Sequence, residues 1–345
     1  MSSNVILNKA KYSENTDEWY TSYDTVASEV MHYVDQFKNK VVLCNCDDPL
    51  KSAFSLFFLR NFNKLELKRL ICTSYVGSRI LEEGSLIDNS SHKLQSKYAY
   101  VMSIEEMPSV DFTNDDEGLI HYLKKAKCIK KLHGDGDFRS RECLEYLKMS
   151  DIVVTNPPFS KFIELFSILV KYNKKYLLIG NQNALTYKEI FPYIKNGSVW
   201  IGYHFGEMAF KVPADTAPRK YRFWIDETGQ KWRSLGNAMW LTNLDTERKH
   251  QELLLNSMYE PSKYPHFDNF DAINVSRVAD IPKDYFGIMG VPLTYLKYHN
   301  DTQFEIVGEA NHGSDNEYDL FKPRVNGKDI FKRILIRKKT DENNK

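Results

Sequence analysis

The sequence predicts an α/β fold: a mostly parallel, open sheet followed by a less regular C-terminal region. Short apolar runs of strand length at 41–43, 69–72, 152–154 and 176–179 are separated by stretches with helical periodicity. The segments at 44–49, 135–138 and 155–159 each follow a strand and carry polar or unusual residues. Open α/β sheets bind ligands beyond the carboxyl ends of their strands, so these segments point to one site. After residue 206 the alternation fades.

A chain of 345 residues holds one large domain or two modest ones. Its net charge of +1 announces no polyanionic partner, although residues 322–339 are dense in Lys and Arg. A solvated surface explains that run equally well. The cysteines, Cys44, Cys46, Cys72, Cys128 and Cys143, are odd in number and none are paired as Cys-x-x-Cys. That argues against a disulfide framework and against zinc, so no metal is expected. The start does not read as a signal peptide and no apolar run is long enough to span a bilayer, so a cytoplasmic protein without a membrane partner is expected.

Residues 1–16 are polar and aperiodic and read as a flexible tail. Asp17-Glu18-Trp19-Tyr20-Thr21 precedes a helical pattern through Val26, Val30, Met31 and Val34. Residues 41–43 form the first strand, 44–49 its exit loop and 52–62 the following helix. Strand, tight loop and helix open many nucleotide-binding domains, but no glycine lies between Val41 and Phe62. On these residues alone, Asp47 and Asp48 read as ordinary loop and capping acids. The second strand, 68–76, ends in Thr73-Ser74-Tyr75. Residues 77–129 suggest no chemistry beyond a hairpin-like stretch at 98–104. In Gly134-Asp135-Gly136-Asp137-Phe138 the glycines permit a turn that other residues resist. Asp-x-Asp raises a calcium loop, but the bidentate Glu that closes such a loop is missing. Residues 140–149 are helical.

Residues 151–160 carry the sharpest signal. Ile152, Val153 and Val154 make a buried strand. Asn156 is pushed out of helical geometry by the proline after it, and Pro157 and Pro158 cannot continue a ladder. Ser160 reads as the N-cap of a helix through Phe162, Leu165, Phe166 and Leu169. Such a loop suits an aromatic amine, whose lone pair is delocalised into its ring. The Asn156 side-chain oxygen and the Pro157 carbonyl can accept its N–H bonds and draw the nitrogen towards tetrahedral geometry. Phe159 can stack on the ring. With an electrophile as activated as a sulfonium methyl, only alignment remains.

Residues 176–180 form a further strand. Thr186 and Glu189 have capping-box spacing, opening a helix that Pro192 should kink. Residues 200–205 read as a strand with aromatic residues at its end. Beyond it Lys211, Arg219, Lys220, Arg222, Lys231 and Arg233 alternate with aromatic residues, and Gly229 punctuates a hairpin. That mixture fits a surface for phosphates and bases, or a plain amphipathic sheet face. Residues 259–298 look irregular, and 331–336 is a late strand.

Asn-Pro-Pro-Phe at 156–159 resembles the catalytic motif of amino-methyltransferases that use S-adenosylmethionine. More narrowly, segments 41–49, 134–140 and 151–160, with 17–21, 240–245, 270–275 and 287–292, resemble the EcoRI-type DNA adenine-N6 methyltransferases over nearly the whole chain. The resemblance implies a Rossmann-like class I methyltransferase fold. It implies S-adenosylmethionine as cofactor and a flipped-out adenine in double-stranded DNA as substrate, in a restriction–modification system or as an orphan modification enzyme. Asn156, Pro157, Pro158 and Phe159 become the catalytic loop. Cofactor contacts fall on Tyr20, Thr21, Cys44, Asn45, Cys46, Asp47, Asp48, Pro49, Asp135, Asp137, Phe138 and Asn156. Asp47 or Asp48 would meet the methionine ammonium, Asp137 would accept from the adenine amine, and Phe138 would flank that ring. Tyr203 or Phe205 would face the extruded base, and the six basic residues at 211–233 would contact DNA. Residues 17–205 would bind cofactor and catalyse, and 206–345 would recognise the target. A monomer suffices, and a cognate endonuclease would be related by function rather than contact. Ribosomal RNA bases or a protein glutamine are alternative acceptors. A catalytically silent DNA-binding module is a third reading, against which the intact 156–159 set stands.

Overall fold

The computed structural model describes residues 20–76 and 98–340. The expected tail at 1–16, residues 17–19, and the stretch 77–97 lie outside the described residues.

Runs of β-branched and small apolar residues at 41–45 and 152–155 form strands that are buried along their whole length. In chain order the first elements are β1 (Tyr20–Thr21), α1 (Tyr23–Val30), β2 (Val41–Asn45), α2 (Ala53–Arg60) and β3 (Arg69–Thr73). Next come β4 (Tyr100–Ile104), α3 (Asp116–Lys125), β5 (Ile129–Lys131), α4 (Arg141–Met149), β6 (Ile152–Thr155), α5 (Phe162–Lys171) and β7 (Lys175–Asn181). Then follow β8 (Trp200–Lys211), β9 (Phe223–Ile225) and β10 (Lys231–Thr242). These strands build one sheet in the order β1-β8-β10-β7-β6-β2-β3-β4-β5, with β9 paired to β10.

The sheet is mixed, which corrects the expectation of a mostly parallel one. β3, β2, β6 and β7 are parallel neighbours. β4 and β5 are antiparallel additions on one side, and β1 pairs antiparallel with β8 on the other. Two features of these flanks fit an antiparallel arrangement. β5 carries two exposed lysines, which a strand covered on both faces would not tolerate. β9 and β10 are joined by a tight turn in which Asp226 and Gly229 are bonded and Gly229 has φ +83°, a connection open only to antiparallel strands.

This order places the site. From β2 the chain moves to β3 on one side, then returns as β6 on the other, so the strand order reverses between β2 and β6. Their carboxyl ends border the crevice in which such sheets bind ligands. Since β5 runs in the same direction as β3, the loop after β5 opens at the same edge. The opposite ends of β2 and β6 are stapled by Asp151, whose Oδ2 accepts the Val41 N–H at 2.8 Å.

Several helix starts differ from expectation. Ser140 does cap α4, accepting from the Cys143 N–H. Ser160 does not cap α5: it lies in a 3₁₀ turn, Phe159–Lys161, and α5 begins at Phe162 without a side-chain cap. The Pro158 carbonyl takes the Lys161 N–H and closes that turn first. Thr186 ends a 3₁₀ turn rather than opening a helix. The next helix is Phe191–Lys195, with Pro192 in its first turn, where the missing N–H costs nothing.

The chain divides into two compact units, residues 1–180 with 206–244, and residues 181–205 with 245–345. The expected division at 205/206 is one crossing between them; residues 206–244 go with the first unit. The second unit has its own sheet, from β11 (His266–Phe267), β12 (Phe270–Asn274), β13 (Met289–Pro292), β14 (Phe304–Ala310) and β15 (Asp319–Phe321). A small pair, β16 (Arg324–Val325) and β17 (Lys328–Asp329), precedes β18 (Arg333–Lys338). β18 lies inside that sheet, between β13 and β14. Residues 259–298 therefore contain three strands and are not an irregular excursion; short strands between Pro and Asp residues hide the period-two pattern. Among the described residues no helix is long and apolar enough to cross a membrane.

Phe58, in α2, is fully buried and packs against Phe37 and Phe57. Phe58→Ala is expected to destabilise the fold by about 3–5 kcal/mol. Leu254→Ala, at a site 84% exposed, should stay within about 0.5 kcal/mol. Denaturant unfolding of both variants checks this.

Candidate active site

The exit of β2 makes a turn that would ordinarily demand glycine. Cys46 has φ +66°, in the left-handed region. Two buried acids hold that turn. The Asp47 N–H donates to the Thr73 carbonyl at 3.0 Å, tying the loop to β3. Asp47 Oδ1 accepts the Ser52 hydroxyl at 2.6 Å, and Oδ2 lies 2.8 Å from the Thr155 hydroxyl. Asp48 Oδ1 accepts the Leu50 and Lys51 N–H groups at 2.8 and 2.9 Å. Burial pushes the Asp47 carboxyl up to about 7, against the hydrogen bonds from Ser52 and Thr155. Burial also raises Asp48, against the two backbone N–H bonds.

Asp47 is thus engaged within the protein at both oxygens, while Asp48 retains capacity. Its Oδ2 is buried, and so are Asn45 Oδ1 and Thr73 Oγ1; none has a hydrogen-bond partner among the described residues. Asn45 and Thr73 are register partners at the adjoining ends of β2 and β3. Buried polar atoms are nearly always paired, so three orphans together fit the donor groups of a polar ligand. Cys44 is fully buried beside Cys72, Pro49 is buried, and burial raises the Cys46 thiol.

The loop after β5 packs onto the exit of β3. The Val76 N–H donates to the Asp135 carbonyl at 2.7 Å. Gly136 has φ +79°, and a Cβ there would sit 2.0 Å from the Ser74 carbonyl oxygen, so only glycine fits. Asp135 turns its Oδ1 to the Asp137 N–H, and its side chain is otherwise exposed. The Asp137 carboxylate is clamped by Arg139, with Nε on Oδ1 at 2.9 Å and Nη2 on Oδ2 at 2.6 Å. Those bonds hold its carboxyl below the usual range. Arg139 also donates to Glu164 of α5 at 2.6 Å, and Lys161 reaches Glu164 at 3.2 Å. Arg139 and Glu164 were not legible as site residues; the only sequence signal is an acid two positions before an arginine. An adenine amine at Asp137 would have to share the carboxylate with Arg139. Phe138 is buried.

At the exit of β6, Thr155 is fully buried and Asn156 follows. The Asn156 amide nitrogen donates to Thr21 Oγ1 at 3.2 Å, which turns Oδ1 the other way as an acceptor. Tyr20 and Thr21 form β1, paired with Lys211 and Phe210 of β8. Phe159 is half-buried and meets Phe210 edge-on, with ring centroids 6.4 Å apart. Pro157 is buried. The structure therefore brings together Thr21, the 45–48 turn and the 156–159 loop.

The basic residues at 211–233 divide into two kinds. Lys231 donates to the carbonyls of Ala214 and Thr216, and Arg233, buried, donates to the Ala217 carbonyl at 3.0 Å. Both brace the neighbouring loop. Lys211 lies over Trp232, which stacks on Trp224 and donates to Asp226. Arg219, Lys220 and Arg222 are exposed, beside the 73% exposed Tyr221. Tyr203 and Phe205 fall in the second compact unit, with Arg248 over the Tyr203 ring and Lys297 near Phe205. Among the described residues no cluster of His, Cys, Asp or Glu could hold a metal ion.

Over residues 6–340 the chain matches the family described as adenine-specific methyltransferase EcoRI. It is 42% identical to the type II methyltransferase M.EcoRI of Escherichia coli, over 97% of each chain. It is 35% identical to the type II methyltransferase M.MgeORF184P of Mycoplasma genitalium, over 96% of this chain and 98% of that one. It is also 35% identical to the type II methyltransferase M.MpnI of Mycoplasma pneumoniae, over 87% of this chain and 84% of that one. No solved structure matches the chain.

The Arg139 clamp sets the charge of Asp137. A lowered carboxyl stabilises the fold above its ordinary pKa, and that contribution is lost as pH falls through the lowered value. Arg139→Ala is expected to return Asp137 towards the ordinary carboxylate range. A ¹³C NMR titration of labelled aspartate reads this, and an unmoved Asp137 resonance would contradict the clamp.

Proposed function

Since the chain belongs to the EcoRI family of adenine-specific DNA methyltransferases, we propose that it methylates N6 of an adenine at one short site in double-stranded DNA, with 156–159 as its catalytic loop. The observation that carries this reading is the position of Asn156. It leaves the sheet where the strand order reverses, beside the 45–48 turn, with its amide oriented by Thr21.

S-adenosylmethionine, when bound, supplies a methyl group already activated by its sulfonium. The chain's own residues fit it: Asn45, Asp48 and Thr73 offer buried, unsatisfied polar atoms, and Asp48 is the acid suited to a cationic ammonium. Thr21 borders the same region through its bond to Asn156. Asn156 Oδ1 and the Pro157 carbonyl accept the two N–H bonds of the target amine and restore nucleophilic character to its nitrogen. Pro157 and Pro158 fix the backbone that presents these acceptors. Phe159, steadied by Phe210, stacks on the base. An adenine inside the duplex must be extruded first, at a cost of a few kcal/mol offset by stacking and hydrogen bonds.

Arg219, Lys220 and Arg222 are the residues proposed to contact phosphates, while Lys231 and Arg233 shape the loop that carries them. The region from residue 206 serves target recognition, and a monomer suffices. We assign the protein a role in restriction–modification, which the relatives named type II methyltransferases support, acting in the cytoplasm where the DNA lies.

Transfer of a labelled methyl group to unmethylated genomic DNA, with the product base identified by mass, tests the reading. N6-methyladenine at one short motif is expected, and label in RNA or protein alone would contradict it. Asn156→Ala should lower turnover by about 100- to 1,000-fold with cofactor affinity nearly intact. A large loss of cofactor affinity would remove Asn156 from the catalytic role. Alanine at Arg219, Lys220 or Arg222 should each reduce the salt dependence of DNA binding by about one unit of slope. Unchanged slopes would move the DNA surface elsewhere.

A further inference from the structure

The Thr155 hydroxyl has one proton and two acceptors. Its Oγ1 is hydrogen-bonded to the Asn45 carbonyl and lies 2.8 Å from Asp47 Oδ2. Thr155 is fully buried. Asp47 Oδ1 is already taken by the Ser52 hydroxyl. Were Asp47 ionised, lone pairs would face each other across one of the two Thr155 contacts, in a site where the repulsion is poorly screened. A proton on Asp47 Oδ2 removes the conflict. Oδ2–H then donates to Thr155 Oγ1, and the Thr155 proton goes to the Asn45 carbonyl.

We propose that Asp47 is held neutral and acts as a positioning residue for Asn156, clamping the exits of β2 and β6 together through Thr155. The proposal rests on reading 156–159 as the catalytic loop. The chain of bonds is short: Asp47 to Thr155, then one peptide to Asn156, whose amide is oriented from the other side by Thr21. Asp47 also ties in β3 through the Thr73 carbonyl, so three parallel strands meet at this residue. The titratable groups beside it are Asp48 on its own loop, whose charge disfavours a second one there, and the thiols of Cys44 on β2 and Cys46, which burial keeps neutral. Among the described residues, its partners from β6 and the start of α2 are the neutral hydroxyls of Thr155 and Ser52. Burial moves its titration to about 7. By linkage, an acid raised on folding favours the fold at low pH, and that contribution is lost as pH rises from the ordinary carboxylate range to about 7.

The test compares single-turnover methyl transfer to duplex DNA across pH for the wild type, Asp47→Ala and Asp47→Asn. Asparagine keeps a donor towards Thr155 and an acceptor for Ser52, without a charge. Asp47→Ala should slow transfer by about ten- to a hundredfold with little change in cofactor KM. Asp47→Asn should recover most of that rate and lack the alkaline decline expected of the wild type above about pH 7. Should Asp47→Ala fail to fold, Thr155→Val against Thr155→Ser makes the same comparison, serine recovering the rate. Infrared spectra of protein labelled with ¹³C-aspartate give a readout independent of activity: near pH 6 a protonated-carboxyl band should be present that Asp47→Asn removes. Absence of that band overturns the neutral Asp47. An asparagine variant as slow as alanine, or with the wild-type pH profile, overturns the positioning role. If no preparation methylates DNA, the catalytic reading of 156–159 fails, and with it the positioning role, while the infrared band still decides the proton.

Discussion

The contact between Thr155 and the exit of β2 is the one on which the site depends. Adjacent parallel strands share a ladder only as far as their last paired residues, and β2 and β6 pair at Val42–Ile152 and Leu43–Val153. Beyond that, nothing in the backbone obliges two diverging loops to keep a fixed separation. The Thr155 hydroxyl supplies the obligation, bonding the Asn45 carbonyl and meeting Asp47. At the other end of the same strands Asp151 does the equivalent by accepting the Val41 N–H. The pair of strands is thus fastened at both ends by side chains, and the two loops that diverge from it hold a defined relation.

The same economy shapes the loop itself. Most phosphate- or cofactor-cradling turns use glycine to reach positive φ and let backbone N–H groups approach the ligand. Here Cys46 takes the left-handed conformation and two neighbouring carboxyls satisfy the turn from within. A buried acid that serves structure in this way must find donors or carry a proton. Asp48 finds Leu50 and Lys51; Asp47 finds Ser52 and shares the Thr155 hydroxyl with the Asn45 carbonyl. Two adjacent acids that look alike in the sequence therefore do different work.

Much of the architecture was legible because its signals are local. The apolar runs gave the four parallel strands, and the prolines of Asn-Pro-Pro-Phe gave the end of β6. The helix start at Ser140 was also readable, since an N-cap is a property of three or four residues. What escaped was set by long-range partners. The antiparallel flanks depend on strand pairing across the sheet. Ser160 lost its capping role to a turn closed by the Pro158 carbonyl. Lys231 and Arg233 look like phosphate ligands in a basic, aromatic stretch, yet carbonyls of residues some sixteen positions earlier hold them. Arg139 had no local mark as the partner of both Asp137 and Glu164.

The central claim is that the exits of β2, β3 and β6 form a single cofactor site. Ultraviolet cross-linking of radiolabelled S-adenosylmethionine to the whole protein, followed by peptide mapping, tests it most directly. The account predicts label in the peptides spanning 44–49 or 155–159. Label confined to peptides from 245–340 would contradict it.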